Sequence, residues 1–296
     1  MRYRPFGRTG IAVSAFSLTL SGDEDRKAGE WLSLVHGALE HGINAFEIVR
    51  PSQALLNGFA EGIAAVRRTL LFVALRADPD MPGAKLDGWV SEMVAAGGLG
   101  EINLLTLDAD SPEFEEALGA ALRLKDISLV RRMAVAGPGE ALVGHVEDPL
   151  FDAIVMPFGV QSGWRDRNLV RTALARQMAV MACDSCPAQL TAQVKEDAKQ
   201  ARGGWFKKAE PLAASGSHAF LQQTYGWTAE QICIAHVLTE PAITTVQMPV
   251  KNLDHLETLA AAPERNLPAQ VAAQIEMAHF SEERTARTRS SDKRRA

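Results

Sequence analysis

The sequence contains few cysteines, no long apolar run and no excess of basic residues, and each of these absences excludes a class of protein. Its three cysteines, Cys183, Cys186 and Cys233, are too few for a disulfide framework in 296 residues and fit a reducing compartment. The longest apolar runs, such as residues 70–75, are far shorter than the ~20 residues of a membrane-spanning helix. The N-terminus also lacks the apolar core of a signal peptide. We therefore predict a cytoplasmic protein that does not insert into a membrane.

The charge balance argues against nucleic acid as a partner. The formal net charge is -5, whereas a nucleic-acid-binding surface needs an excess of lysine and arginine on one face. Cys183 and Cys186 in C-D-S-C-P have the spacing of a redox or metal motif, but a zinc site needs two further ligands, and the sequence has no second C-x-x-C and no H-x-x-x-H. We predict no metal site. Two interpretations of this cysteine pair stay open: the pair takes part in thiol exchange, or it consists of two small residues at the end of a strand without a chemical role.

Short apolar segments alternate with amphipathic segments along most of the chain. The apolar segments have the length of buried parallel strands, and between them apolar residues recur at helical spacing, as at Trp31, Leu34, Val35 and Ala38. Strand and helix repeated seven or eight times over ~250 residues predict an α/β fold, the (β/α)8 barrel, because each parallel crossover needs a helix. The predicted strands are residues 43–49, 70–75, 101–107, 133–135, 153–156, 178–182 and 244–247, with an eighth in the weaker region 12–20.

Two segments break the alternation. Residues 199–222 are rich in Gly, Ala and Ser around a basic aromatic patch at 203–208, which predicts a long loop at the rim of the barrel that gates a pocket, meets a partner or has no such role. Residues 281–296 have no apolar face and are predicted to be a disordered tail, either a handle for a partner or a solvated end. We therefore expect one barrel domain over residues 1–280, followed by the tail.

Several motifs resemble those of the aldo-keto reductases. The opening M-R-Y-R-P-F-G-R-T-G and the later G-A-L-E-H-G-I-N-A-F-E are similar to the Gly-Arg-Thr-Gly hairpin and the Gly-Ile-Asn helix end of that family. I-N-L-L-T-L-D, A-V-M-A-C and E-P-A-I-T-T-V-Q-M-P-V-K-N-L-D-H-L-E-T-L follow in the family's order, so the resemblance covers residues 2–262. It implies a TIM barrel of the aldo-keto reductase type with an N-terminal β-hairpin, which binds a nicotinamide dinucleotide at the carboxyl ends of its strands.

The resemblance also locates the family's four catalytic positions, and all four are altered. A tyrosine there protonates the carbonyl oxygen with help from a lysine, an aspartate and a histidine; the matching residues are Ser52, Arg76, Glu47 and Asp108. A serine hydroxyl is far too weak an acid for this step, and Asp108 would repel a developing alkoxide. Glu47 and Arg76 keep their charges, so we expect an ion pair between their strand ends. Proton donation by Glu47 or Asp108 stays open as an alternative.

The cofactor contacts implied by the resemblance are partly lost. The family's side chains around the nicotinamide are replaced by Ala136 and Gly137, Val155 and Cys183, whereas the loop before L-D-H-L-E-T-L keeps the shape of a pyrophosphate site at a helix start. A single Lys251 beside Asp254 favours NAD(H) over NADP(H); the alternative is a solvated loop lysine. The candidate cofactor-binding residues are Cys183, Asp184, Ser185, Met248, Val250, Lys251 and His255.

A barrel that binds NAD(H) but cannot reduce a carbonyl is typical of a regulator. The combination is similar to aldo-keto-reductase-like regulators of cell division in alphaproteobacteria. This resemblance implies an NAD(H)-responsive regulator of the cell cycle, with the tubulin-like division protein FtsZ and a sensor histidine kinase as protein partners. Residues 203–208 and the tail are the predicted docking surfaces. Two alternatives stay open: a divergent NAD(P)H-dependent oxidoreductase with a non-standard acid, and a scaffold that has lost the cofactor.

Overall fold

The computed structural model describes residues 1–186, 218 and 220–278, in which eight parallel strands close into a barrel. An antiparallel hairpin of β1 (Tyr3–Pro5) and β2 (Ala12–Ser14) precedes the barrel. The predicted (β/α)8 barrel with an N-terminal β-hairpin is therefore confirmed. The barrel strands are β3 (Phe16–Ser21), β4 (Ala45–Val49), β5 (Phe72–Arg76), β6 (Leu104–Asp108), β7 (Met133–Ala136), β8 (Ala153–Pro157), β9 (Ala179–Cys183) and β10 (Ile243–Pro249).

Helices separate these strands, as the alternation predicts. Their buried faces form the layer between the barrel and the helices, and the predicted stripe of Trp31, Leu34, Val35 and Ala38 is buried there. The described helices are α1 (Ala28–Glu40), α2 (Gln53–Ile63), α3 (Leu86–Ala96), α4 (Phe114–Asp126), α5 (Gly139–Leu142), α6 (Trp164–Ala175), α7 (Phe220–Gln223), α8 (Ala229–Val237) and α9 (Leu253–Ala260), and residues 269–278 are also helical.

The first two helices pack unusually closely because Gly58 has no side chain. A Cβ on Gly58 would lie 2.3 Å from the carbonyl oxygen of Ala28 and 2.6 Å from the Cβ of Trp31, distances that real structures do not tolerate. The indole of Trp31 is only 1% exposed. This close contact fixes α1 and α2 beside the strands that end in the candidate site.

The interior of the barrel is filled by small residues at one end and opens to polar residues at the other. Alternate side chains of the strands point inward. At the amino ends, the inward side chains pack against Phe6 and Val13 of the hairpin, so this end is closed. Inward residues near the carboxyl ends are larger and polar, among them Glu47, Arg76 and Gln247. The barrel therefore has a single described mouth, at the carboxyl ends of its strands.

The predicted strands are correct in order, and their bounds shift toward the mouth. For example, predicted strand 70–75 is observed as Phe72–Arg76, and 101–107 as Leu104–Asp108. The weak region 12–20 contains two strands, since β2 pairs with β1 in the hairpin and β3 enters the barrel after Ala15. The Asn44 side chain accepts a hydrogen bond from the backbone N–H of Ser14 and donates one to the carbonyl of Ala12, which attaches the hairpin to the barrel.

Most of the predicted loop at 199–222, with its 203–208 patch, and all of the predicted tail lie outside the described residues. The domain boundary at residue 280 therefore stays a prediction. Among residues 1–186, 218 and 220–278, no helix has both the length and the apolarity needed to cross a membrane.

Candidate functional site

A cavity of about 650 Å³ opens at the barrel mouth, between the carboxyl ends of β3, β4, β5, β9 and β10. Its volume lies within the ~300–1,000 Å³ that is usual for small-molecule sites. All seven candidate cofactor-binding residues of the sequence line it, together with Glu47 and Arg76. The remaining lining residues are Thr19, Ser21, Glu24, Arg26, Val49, Cys186, Glu230, Gln247 and Pro249.

Glu47 and Arg76 form the expected ion pair on the wall of this cavity. The Arg76 Nε donates to Glu47 Oε1 at 2.9 Å, Nη2 lies 2.9 Å from the same oxygen, and Thr19 donates its hydroxyl to Oε2 at 3.3 Å. Burial opposes the charge of Arg76, but the Glu47 carboxylate outweighs it and raises the pKa of Arg76 above its usual value. The Glu47 side chain is 3% exposed and that of Arg76 is 25% exposed. The pair therefore joins two strand ends and leaves Arg76 in contact with the cavity.

Ser52, at the family's tyrosine position, is a helix cap and does not line the cavity. Its Oγ accepts a hydrogen bond from the backbone N–H of Leu55 at 3.3 Å, where α2 begins. The chain has only two tyrosines, and both are described. Tyr3 donates its hydroxyl to the carbonyl of Gly42, at the amino end of β4, and Tyr225 is fully exposed. No tyrosine of this chain therefore lines the cavity.

Asp108 also faces away from the main cavity. It borders a second, much smaller pocket between β5, β6 and α4, and its Oδ1 accepts a hydrogen bond from the backbone N–H of Asp110 at 3.0 Å. It is still near enough to Arg76 to help raise that residue's pKa. Of the four altered catalytic positions, the structure thus brings Glu47 and Arg76 into the cavity, whereas Ser52 and Asp108 lie outside it.

The cysteines do not pair as the C-D-S-C spacing suggests. Burial raises the pKa of Cys183 to about 12, and Arg76 only partly offsets this, so the thiol is neutral at physiological pH. Cys186 instead contacts Cys233 of α8, and their hydrogen bond lowers the pKa of Cys186 and raises that of Cys233. All three are free thiols. Among the described residues, no group of three or more His, Cys, Asp or Glu side chains is arranged to hold a metal ion.

The turn after β9 holds Ser185 in a defined position. Asp184 has a left-handed backbone (φ 47°), which Asp tolerates better than most residues. Ser185 packs against Gly159, where a Cβ would lie 2.6 Å from the Ser185 carbonyl oxygen. The Ser185 hydroxyl is buried and has no hydrogen-bond partner among the described residues. It is therefore a polar group on the cavity that those residues do not satisfy.

The loop between β10 and α9 is built around His255. Asn252 caps α9 by accepting from the His255 backbone N–H, and the Lys251 backbone N–H donates to His255 Nδ1 at 3.1 Å. The other ring nitrogen lies 2.9 Å from a Glu230 carboxylate oxygen. Arg26 donates to the carbonyls of Val250 and Lys251. Because both of its ring nitrogens are occupied, His255 shapes the loop, while the exposed Lys251 side chain has no ion pair in the described part of the chain.

Gln247 is the main residue of the cavity that sequence reasoning missed. It lies on β10, is 3% exposed, and neither its amide nitrogen nor its amide oxygen has a hydrogen-bond partner in the described part of the chain. A signal exists in the sequence: Thr245 and Gln247 lie two positions apart on one strand, so their polar side chains share a face, which is the inner face of the barrel.

Comparison with known proteins supports the fold. No protein-family model matches the sequence, and no curated protein matches it. Two similar solved structures are the holo and apo forms of the aldo-keto reductase AKR11C1 from Bacillus halodurans, with TM-scores of 0.68 and 0.67. The chain has the barrel fold of the aldo-keto reductases. In both comparisons the identity is 14%, over 93% of this chain and 95% of the other, so the likeness is one of fold and the function must be argued from the side chains at the mouth.

Proposed function

We propose that this protein is an NAD(H)-binding regulatory protein built on an aldo-keto-reductase barrel that does not catalyse carbonyl reduction. One observation carries the proposal: the mouth of the barrel retains a cavity of about 650 Å³, but no tyrosine lines it and the position of the proton donor is a helix cap. Such a site can hold a dinucleotide without using it.

The acids that the sequence offers to a divergent reductase are poorly placed to protonate a carbonyl oxygen. Both carboxylate oxygens of Glu47 are occupied, since one accepts a hydrogen bond from Arg76 and the other accepts one from Thr19. The Cys183 thiol, with a pKa of about 12, is a weaker acid than a tyrosine phenol at ~10. Asp108 lies outside the cavity. Glu47 and Asp108 are the two acids expected of a divergent reductase, and their surroundings count against that alternative.

The residues that remain fit a dinucleotide. The N-terminus of α9 presents a helix dipole that favours a pyrophosphate, with the exposed Lys251 beside it. A single cation next to Asp254 suits NAD(H) better than NADP(H), whose extra phosphate adds negative charge. Gln247 and Ser185 line the same cavity, and their buried polar groups have no partner among the described residues. The bound cofactor would supply a redox-dependent signal, since its nicotinamide ring changes charge on oxidation.

The proposed output of this signal is a change in binding to partner proteins. The sequence resembles KidO, the aldo-keto-reductase-like regulator of cell division, and this resemblance supports FtsZ and a sensor histidine kinase as partners and cytoplasmic cell-cycle control as the role. Residues 203–208 and the tail from 281 are the proposed docking surfaces.

A turnover assay tests the absence of catalysis. NADH consumption is measured with excess 4-nitrobenzaldehyde, with an aldo-keto reductase that keeps its catalytic tyrosine as the positive control. We expect no consumption above the rate without protein. Steady consumption that disappears in the Glu47→Gln variant would identify Glu47 as a functioning acid and would overturn the proposal in favour of a divergent oxidoreductase.

A further inference from the structure

The side-chain amide of Gln247 is an unsatisfied polar group inside the cavity wall. The residue is 3% exposed and borders the cavity, and its amide N–H and C=O groups both lack a partner among residues 1–186, 218 and 220–278. Buried amides without hydrogen bonds are unfavourable and rare in native proteins. Gln247 is therefore suited to bond a ligand rather than to stabilise the protein by itself.

The neighbours of Gln247 are committed elsewhere or carry no suitable group. Its partner in register on β3 is Ser17, whose hydroxyl donates to the carbonyl of Val246 at 3.5 Å. Cys183, at the end of the adjoining strand β9, is a neutral thiol. The charges of Glu47 and Arg76 satisfy one another. Gln247 is thus the amide in this part of the cavity that can serve both as donor and as acceptor.

A primary amide presents a donor and an acceptor side by side in one plane. Two neutral groups complement both at once: another carboxamide, and the edge of adenine that carries its amino group beside a ring nitrogen. A ketone would satisfy only the donor, and a carboxylate would leave the Gln247 oxygen unpaired and would meet the negative Glu47. NAD(H) contains both groups at opposite ends of its pyrophosphate. With the pyrophosphate at the start of α9, the end that enters the barrel mouth is the nicotinamide under the proposed function, and ADP-ribose, which keeps the adenine, distinguishes the two.

We infer that Gln247 binds the carboxamide of the nicotinamide ring, so that recognition of this group comes from β10. The inference deepens the proposed NAD(H) function and rests on it. At the end of β7 and within β8, the positions where the resemblance expects the carboxamide contacts are Ala136, Gly137 and Val155, whose side chains cannot form hydrogen bonds. The unpaired Ser185 hydroxyl on the same cavity supplies a second group for the ligand.

Calorimetric titration with three probes tests the inference: NADH, its 3-acetylpyridine analogue, in which a methyl group replaces the amide nitrogen, and ADP-ribose, which has no nicotinamide. Wild-type protein should bind the analogue about 10-fold or more weaker than NADH, as expected for one lost hydrogen bond with a buried partner. Gln247→Met should bind NADH with a similar loss, should no longer distinguish the analogue, and should bind ADP-ribose as the wild type does.

Thr245→Val is the matched control, because Thr245 lies on the same strand with an unpaired hydroxyl but does not border the cavity. It should leave all three affinities unchanged. Thermal unfolding without ligand gives a second readout: Gln247→Met removes an unsatisfied amide and should be at least as stable as the wild type. A clear loss of stability would show that the amide has a partner within the protein and would overturn the inference.

The outcomes separate the inference from the proposed function. If wild-type protein binds NADH but Gln247→Met binds it equally well, or still prefers it to the analogue, the Gln247 assignment is wrong and NAD(H) binding stands. Equal affinity of the wild-type protein for NADH and ADP-ribose would also show that the assignment of Gln247 is wrong, because the nicotinamide would then contribute nothing to binding. If the wild-type protein does not bind NADH at any concentration that calorimetry can reach, the proposed function is wrong, and the inference is wrong with it.

Discussion

Replacement of Arg76 by methionine should destabilise the protein, because it leaves the Glu47 carboxylate buried without its counter-ion. Loss of one partner of a buried ion pair costs about 3–5 kcal/mol. Glu47 is 3% exposed but borders a cavity that admits water, so we expect the lower end, about 3 kcal/mol. For a domain of this size, ~1 kcal/mol shifts Tm by ~2–4 °C, so Tm should fall by about 6–12 °C.

Removal of the negative partner, Glu47, should destabilise the protein less than removal of Arg76, because the two side chains differ in exposure. Glu47→Gln leaves Arg76, which is 25% exposed and can turn its charge toward the cavity. We expect a loss of about 1 kcal/mol, comparable to one hydrogen bond. The variant with both substitutions leaves no charge unpaired. Its loss of stability should therefore be about 2 kcal/mol smaller than the sum of the losses in the two single variants, and a coupling of this size is typical of contacting residues.

Thermal and denaturant unfolding of the wild type and the three variants, followed by circular dichroism, measure these differences. The assay needs no ligand and no knowledge of partners. The reasoning would be refuted if Arg76→Met unfolds within ~0.5 kcal/mol of the wild type, the range of ordinary surface substitutions, or if Glu47→Gln is the more damaging change.

Three further predictions concern separate features of the mouth. With Cys186 and Cys233 replaced by alanine, iodoacetamide should label folded Cys183 at pH 8 about 30-fold slower than in the unfolded chain. Burial raises the pKa of this thiol from 9.0 to about 12, and the greater nucleophilicity of its thiolate offsets part of the effect; equal labelling rates would contradict this. Ser52→Ala should lose about 1 kcal/mol of stability in thermal unfolding, and Ser52→Asp should restore it, because aspartate also caps helices; an equally unstable Ser52→Asp would rule out capping. Lys251→Glu should weaken NADH binding about 10-fold in calorimetry at low salt, and unchanged affinity would show that Lys251 is only a solvated lysine.

The fold was predictable because it depends on periodic patterns that local sequence contains. The stripe from Trp31 to Ala38 predicts a helix face, and the apolar segments between helices predict parallel strands. The division of residues 12–20 into hairpin and barrel strand was not predictable from that pattern, since both halves are apolar and only the contact with Asn44 separates them.

The site was predictable only where a residue's position on a strand decides its role. Glu47 and Arg76 end neighbouring strands, so their pairing follows from the topology. Asp108 also ends a strand, but its orientation depends on the local turn with Asp110. The contact of Cys186 with Cys233 joins residues far apart in sequence. That Gln247 has no partner depends on every neighbour at once, which no local pattern contains.

Calorimetric titration with NADH and NADPH tests most directly whether the mouth of this barrel still binds a dinucleotide. We predict saturable binding of NADH at one site per chain, with NADPH weaker, because Lys251 beside Asp254 provides little compensation for the additional phosphate. Absence of binding to either nucleotide would contradict the proposed function and would favour a scaffold that has lost the cofactor.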